Sequence, residues 1–176
     1  MVLKNVMAEY AKLGLTPVVG PELEFYIADR TPDGGYQRSL SKTGRVYTTG
    51  SLVDPHGTFL HLIRMLDRMN IGVFAGNHEF SPGQYEINLW HSEALNAADR
   101  TFIFKTAIKD IVNRRGQLAT FLGKPWDDEG GSGFHLHFSV VDAKGVNQMH
   151  DGNGNLSETA LHMIAGITEH ANGVTA

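Results

Sequence analysis

The sequence predicts an α+β fold: a largely antiparallel, curved sheet flanked by helices. Three observations carry this. Amphipathic stripes at helical spacing recur along the chain, and short runs of period-two alternation lie between them. The recurring unit is a helix, a stop residue and then a strand. The turn Ser81-Pro82-Gly83-Gln84 joins two strand-like runs and demands an antiparallel pair, which disfavours a purely parallel doubly wound sheet.

The elements follow in order. Leu3, Val6, Met7, Tyr10 and Leu13 form one apolar stripe, so a helix is predicted over 2–13, with Gly14 as its stop. A strand follows over 17–28. Residues 32–50 are polar and glycine-punctuated, and read as a long loop or ragged hairpin. Asp54-Pro55 is a helix start, and Phe59, Leu62, Ile63, Leu66 and Met69 make the next stripe. Strands are predicted over 71–79 and 84–90. A long helix capped by Ser92 should reach Arg114-Arg115, where basic side chains meet the negative helix end and Gly116 stops it. A short strand over 118–122, a glycine-rich loop at 130–133, a strand over 134–141, a loop at 151–155 and a helix over 157–170 complete the chain.

The length, 176 residues, suits one domain with a sizeable core. Fifteen basic against nineteen acidic residues give a formal charge of −4, which is no footprint for nucleic acid. With no cysteine, disulfides and thiolate metal sites are excluded. No apolar run is long enough to span a membrane, and residues 1–4 do not open a signal peptide. A cytoplasmic location is the natural expectation.

Three segments carry chemistry. In Pro21-Glu22-Leu23-Glu24-Phe25-Tyr26-Ile27, alternation puts Leu23, Phe25 and Ile27 on one face and Glu22 and Glu24 on the other, about 7 Å apart. In Glu79-Phe80-Ser81-Pro82-Gly83-Gln84-Tyr85-Glu86, counting outward from Pro82-Gly83 pairs Ser81 with Gln84, Phe80 with Tyr85 and Glu79 with Glu86. Like charges facing each other are destabilising unless a cation lies between them. In Gly130-Gly131-Ser132-Gly133-Phe134-His135-Leu136-His137-Phe138-Ser139, the residues Phe134, Leu136, Phe138 and Val140 should back a front of His135, His137 and Ser139. Each segment alone also reads as a solvated polar face or a structural histidine pair. Together, carboxylates with one imidazole suit hard ions such as Mg²⁺ or Mn²⁺ better than zinc. Two such ions can bridge nucleotide phosphates, and no Walker-type loop competes for that task.

All three segments resemble motifs of the glutamine synthetase family, in the family's order. The resemblance implies the catalytic-domain (guanido kinase-like) core, truncated. Residues 1–176 would be the N-terminal portion of that domain, without the family's small N-terminal domain or the C-terminal part of the catalytic domain, and inactive alone. It also implies ATP-dependent ligation of glutamate with ammonia through a γ-glutamyl phosphate. By the resemblance, Glu24, Glu79 and Glu86 hold one metal, and Glu22 and His135 hold the metal that bridges the ATP phosphates. His137 contacts the transferring phosphate, Ser139 lies along the nucleotide and the Gly131 backbone seats glutamate. The parent would be a homo-oligomeric ring with active sites between subunits.

Two positions depart from the family: Gly130 stands for its usual asparagine and Asn77 for a histidine. Both point toward a relative using another amine, such as a γ-glutamyl-polyamine or γ-glutamyl-ethanolamide synthetase. A catalytically inactive metal- or nucleotide-binding relative is the reading of another class. A cupin-like His-x-His site fails, because Glu129 stands where its glycine should be. Asp151-Gly152-Asn153-Gly154-Asn155 fails as a calcium loop, since Leu156 and His162 occupy the key glycine and glutamate positions. His78 should point away from the ligand face and act structurally.

Overall fold

The computed structural model describes residues 1–39 and 46–174. The chain forms two compact units.

The first unit comprises residues 1–19, 93–95 and 138–176. Helix α1 covers Val2–Lys12 and ends ahead of Gly14, close to the predicted bounds. Leu3, Met7 and Tyr10 of its apolar stripe are half-buried and Val6 and Leu13 are exposed, with Tyr10 meeting the ring of Phe138 at 6.5 Å. Strand β1, Leu15–Arg30, begins in this unit, and strand β7, Phe134–Asp142, ends in it. Helix α4, Glu158–Glu169, is capped by Ser157, whose hydroxyl accepts from the Ala160 amide at 3.1 Å. A short α5, Ala171–Val174, follows; nothing in the sequence pattern announced it.

The second unit, residues 20–92 and 96–137, holds the main core. It adds strand β2 (Tyr36–Arg38), helix α2 (Thr58–Arg68), strands β3 (Val73–His78) and β4 (Gln84–Leu89), helix α3 (Ala94–Arg114) and strand β6 (Gln117–Thr120). A two-residue strand β5, Ser92–Glu93, precedes α3. The sheet runs β2-β1-β4-β3, with β5, β6 and β7 also pairing to β1. The β1–β2, β1–β4, β1–β6 and β3–β4 pairs are all antiparallel, as the turn required. The ragged-hairpin reading of 32–50 holds for Tyr36–Arg38, which pairs back onto Ala28–Arg30; residues 40–45 lie outside the described residues.

Leu23, Phe25 and Ile27 point into the core, as alternation demands. Phe25 lies 5.3 Å from the Phe121 ring and 6.5 Å from Phe104. Leu62 and Leu66 of α2, and Phe104, Ile108 and Val112 of α3, cover this back of the sheet at one-turn spacing. Among the described residues, no helix is long and apolar enough to cross a membrane.

Four details differ from the sequence reading. Helix α2 starts at Thr58, later than Asp54-Pro55 suggested, yet Asp54 still caps it. Its carboxylate accepts from the Phe59 and Leu60 amides at 3.1 Å each. Ser92 is no cap; it belongs to β5, and its hydroxyl accepts from Arg100 at 2.8 Å. The β3–β4 register is shifted by two residues. Asn77 faces Glu86, His78 faces Tyr85, and the Glu79 amide donates to the Gln84 carbonyl at 2.8 Å. The turn itself is where it was predicted, with Gln84 N donating to Ser81 O and Gly83 at φ 72°. A Pro-Gly turn of this hand splays the strands, so they pair two residues further out. A Cβ on Gly83 would lie 2.5 Å from the Ile27 carbonyl oxygen, so this turn admits only glycine.

The fourth difference is the back of β7. Phe134 and Leu136 were expected to pack on a core; they are 55% and 58% exposed. The expectation assumed that an apolar face is covered along its whole length, whereas only its later half is: Val140 is buried and Phe138 meets Tyr10, while Phe134 and Leu136 stay open.

Candidate metal and phosphate site

The front of the sheet is built by register. Across β1 and β4, Glu22 faces Asn88, Glu24 faces Glu86 and Tyr26 faces Gln84. The directly opposed carboxylates are therefore Glu24 and Glu86, where Glu79 and Glu86 had been expected. A shift of two residues keeps every side chain on its face, so Glu79 still belongs to this front. Its carboxylate accepts from Asn77 Nδ2 at 2.7 Å.

The start of β7 brings the imidazoles in. His135 Nδ1 lies 3.2 Å from one oxygen of Glu22, and His137 Nε2 lies 2.8 Å from the other. Glu22 alone thus carries both rings. An ionised carboxylate only accepts, so each ring N–H donates.

Electrostatics show how tightly the acids converge. Partial burial pushes Glu22 up, but hydrogen bonds with His137, Glu86 and His135 outweigh it and hold its carboxyl at about 2. Glu86 is pushed up to about 7, first by burial and then by the hydrogen bond and charge of Glu22. Burial and the neighbouring charge of Glu24 likewise raise Glu79. The crowding of carboxylates raises the proton affinity of Glu86 and Glu79.

This donor set fits a hard divalent ion. Glu22, Glu86 and His135 offer ligand atoms within 4.8 Å of one another, mostly oxygen with one nitrogen. Glu86, expected in one metal set, thus lies beside Glu22 and His135, expected in the other. At Gly133, an added Cβ would stand 2.9 Å from Glu24 Oε1 and 3.1 Å from His135 Cε1, so the glycine leaves room between carboxylate and imidazole.

The glycine-rich loop is fastened to the same face. Tyr26 Oη donates to Gly130 O at 2.6 Å, Gly130 N to Ser81 Oγ at 2.8 Å, and Glu24 N to Gly133 O at 3.1 Å. Gln84 Nε2 donates to Gly131 O at 2.9 Å. Arg38 pairs with Asp128 and Glu129 just ahead of the loop. Sequence reading missed Tyr26, Arg38, Ser81 and Gln84. A signal existed for Gln84 and Tyr26, since alternation puts them on the face of Glu86 and Glu24.

Ser139 lies two residues beyond His137 on β7, half-buried and in the other compact unit. His78 does point away from the acids: it is buried, its ring edge-on to Tyr85 at 5.1 Å, and burial lowers its affinity for a proton.

Comparisons with known proteins agree across the whole chain. The family model for the glutamine synthetase catalytic domain matches residues 1–176. The chain is 36% identical over 178 residues to a glutamine synthetase of Thermus thermophilus, covering 99% of this chain and 40% of that protein. Against a glutamine synthetase of Halobacterium salinarum it is 33% identical over 177 residues, with 99% and 39% covered. Among solved structures, a GmaS/ADP complex superposes with a TM-score of 0.86 at 31% identity, over 99% of this chain and 41% of that one. Glutamine synthetase of Plasmodium falciparum, solved by cryo-electron microscopy, gives 0.84 at 26% identity, over 97% and 39%. The chain therefore spans about 40% of the length of these relatives.

Proposed function

The chain belongs to the glutamine synthetase family, and on that premise we propose that the whole protein is a cytoplasmic ATP-dependent ligase joining glutamate to ammonia. The observation that carries this reading is the cage of acids and imidazoles above. Carboxylates from β1, β4 and the 79–83 turn meet the histidines of β7 on one surface, beside a fastened glycine loop.

In this reading Glu24, Glu79 and Glu86 hold one divalent ion, Mg²⁺ or Mn²⁺, and Glu22 with His135 holds a second. When bound, the ions supply Lewis acidity toward the phosphoryl oxygens. A glutamate γ-carboxylate oxygen attacks the γ-phosphorus of ATP and ADP leaves; ammonia then displaces phosphate from the γ-glutamyl phosphate and loses a proton. Glu22 orients His137, whose exposed ring is free to meet the transferring phosphate. The Gly131 backbone seats glutamate. That a similar solved structure is a GmaS/ADP complex supports nucleotide binding by the whole protein. The homo-oligomeric ring is carried over from the family.

A second reading is ligation to a different amine, such as a polyamine or ethanolamine. It draws on Asn77 and Gly130, the two departures from the family pattern. The test is phosphate release by the full-length protein with ATP, glutamate and a panel of amines. Ammonia as preferred acceptor supports the first reading and a polyamine or ethanolamine the second. Absence of glutamate-dependent release would leave the inactive-relative reading standing.

A further inference from the structure

Gln84 opens β4 opposite Tyr26 and is 3% exposed. Its Nε2 donates to Glu24 Oε2 at 2.9 Å and to the Gly131 carbonyl oxygen at 2.9 Å. A primary amide has two N–H groups, and both are spent here on acceptors from different elements. The partners also decide which way the amide points. Exchanging its oxygen and nitrogen would set an acceptor against a carboxylate and a carbonyl. The amide oxygen faces the Ser81 amide, 3.4 Å away.

The other described fastenings of the loop, Tyr26 Oη to Gly130, Gly130 N to Ser81 Oγ, Ser132 N to the Gly123 carbonyl and the Glu24 amide to Gly133, use no carboxylate side chain. Gln84 does. It holds Oε2 of Glu24 and so leaves Oε1, the oxygen beside Gly133 and His135, turned toward the cage. With the other hydrogen of the same amide it sets the height of Gly131.

Building on the proposed function, we propose that Gln84 is a positioning residue that couples the ion site to the amino-acid seat. A shift of Gly131 on glutamate binding is felt at Glu24, and an ion drawing on Glu24 is felt at Gly131. Coupling of this kind is reciprocal by necessity.

The test uses the full-length protein and two titrations: Mn²⁺ binding by calorimetry with and without saturating glutamate, and the glutamate KM. Gln84→Met keeps the length of the side chain and removes both donors. It is expected to weaken Mn²⁺ binding about tenfold, the scale of a hydrogen bond to a charged group. Glutamate KM should rise by a similar factor while kcat changes much less, and the tightening of Mn²⁺ by glutamate should shrink. Tyr26→Phe loosens the loop without touching Glu24. It should raise KM and leave Mn²⁺ affinity in the absence of glutamate unchanged. If Gln84→Met does not fold, Gln84→Asn, with its amide one methylene short of both partners, takes its place with the same expected losses. A wild type that neither binds Mn²⁺ nor turns glutamate over overturns the reading of the site. A competent wild type whose Gln84 variant keeps both the Mn²⁺ affinity and the glutamate effect overturns the role of Gln84 alone.

Discussion

The carboxylate half of the cage and its imidazole half are held in different ways. Glu24 and Glu86 stand on strands whose reverse side is the main core; Leu23, Phe25, Tyr85 and Ile87 are all buried behind them. His135 and His137 stand on a strand whose alternate residues, Phe134 and Leu136, are open to solvent. The acids are positioned by packing, whereas the described contacts of the two imidazoles run to one carboxylate, Glu22. A site can thus be half preorganised, its acids set by the core and its histidines set by the acids.

The largest expected effect tests the rigid half. Phe25→Ala opens a void among Phe104, Phe121 and Tyr85, and should cost about 3–5 kcal/mol of stability in urea unfolding of the 1–176 chain. Next, Glu86→Gln should weaken Mn²⁺ binding about a hundredfold, measured calorimetrically. If His135→Ala costs as much, the two halves contribute equally and the contrast fails at the level of binding.

A smaller effect is pH-dependent. Glu86, raised to about 7, stabilises the metal-free fold below its ordinary value of 4.5, and that contribution is lost as pH climbs through about 7. Glu22, lowered to about 2, works the other way: its contribution is present above 4.5 and lost as pH falls through about 2. Between about pH 5 and pH 8 the melting temperature of the metal-free chain should therefore decline from the Glu86 contribution. Saturating Mg²⁺ should reverse the decline and release a proton, readable by calorimetry in buffers of different ionisation enthalpy. The smallest effect belongs to the open strand: Leu136→Ala should change stability by no more than about 0.5 kcal/mol.

Much of this was legible in the sequence where a local rule governs. The stripe of α2, the helix ends before Gly14 and Gly116, and the alternation of β1 all express one-dimensional periodicity. The convergence of Glu22, Glu24, Glu79 and Glu86 survived a two-residue error in register, because an even slip preserves faces. Other features depend on what lies opposite. The facing of Glu24 by Glu86 required knowing that β1 lies next to β4. Exposure of Phe134 and Leu136 depends on which elements pack there, a property no spacing encodes. The double hydrogen bond of Gln84 joins residues 60 and 47 positions away along the chain, beyond any local pattern.

Gly133 carries a consequence for ancestry. A methyl group there would press on the flexible end of Glu24 and not on backbone, so the fold would survive while the carboxylate swung aside. Every ligand could then persist unchanged in a descendant and no longer converge. Inheritance of the named acids and histidines is therefore a poor guarantee of inherited chemistry. The record of a lost activity could be written at a residue that bears no functional group.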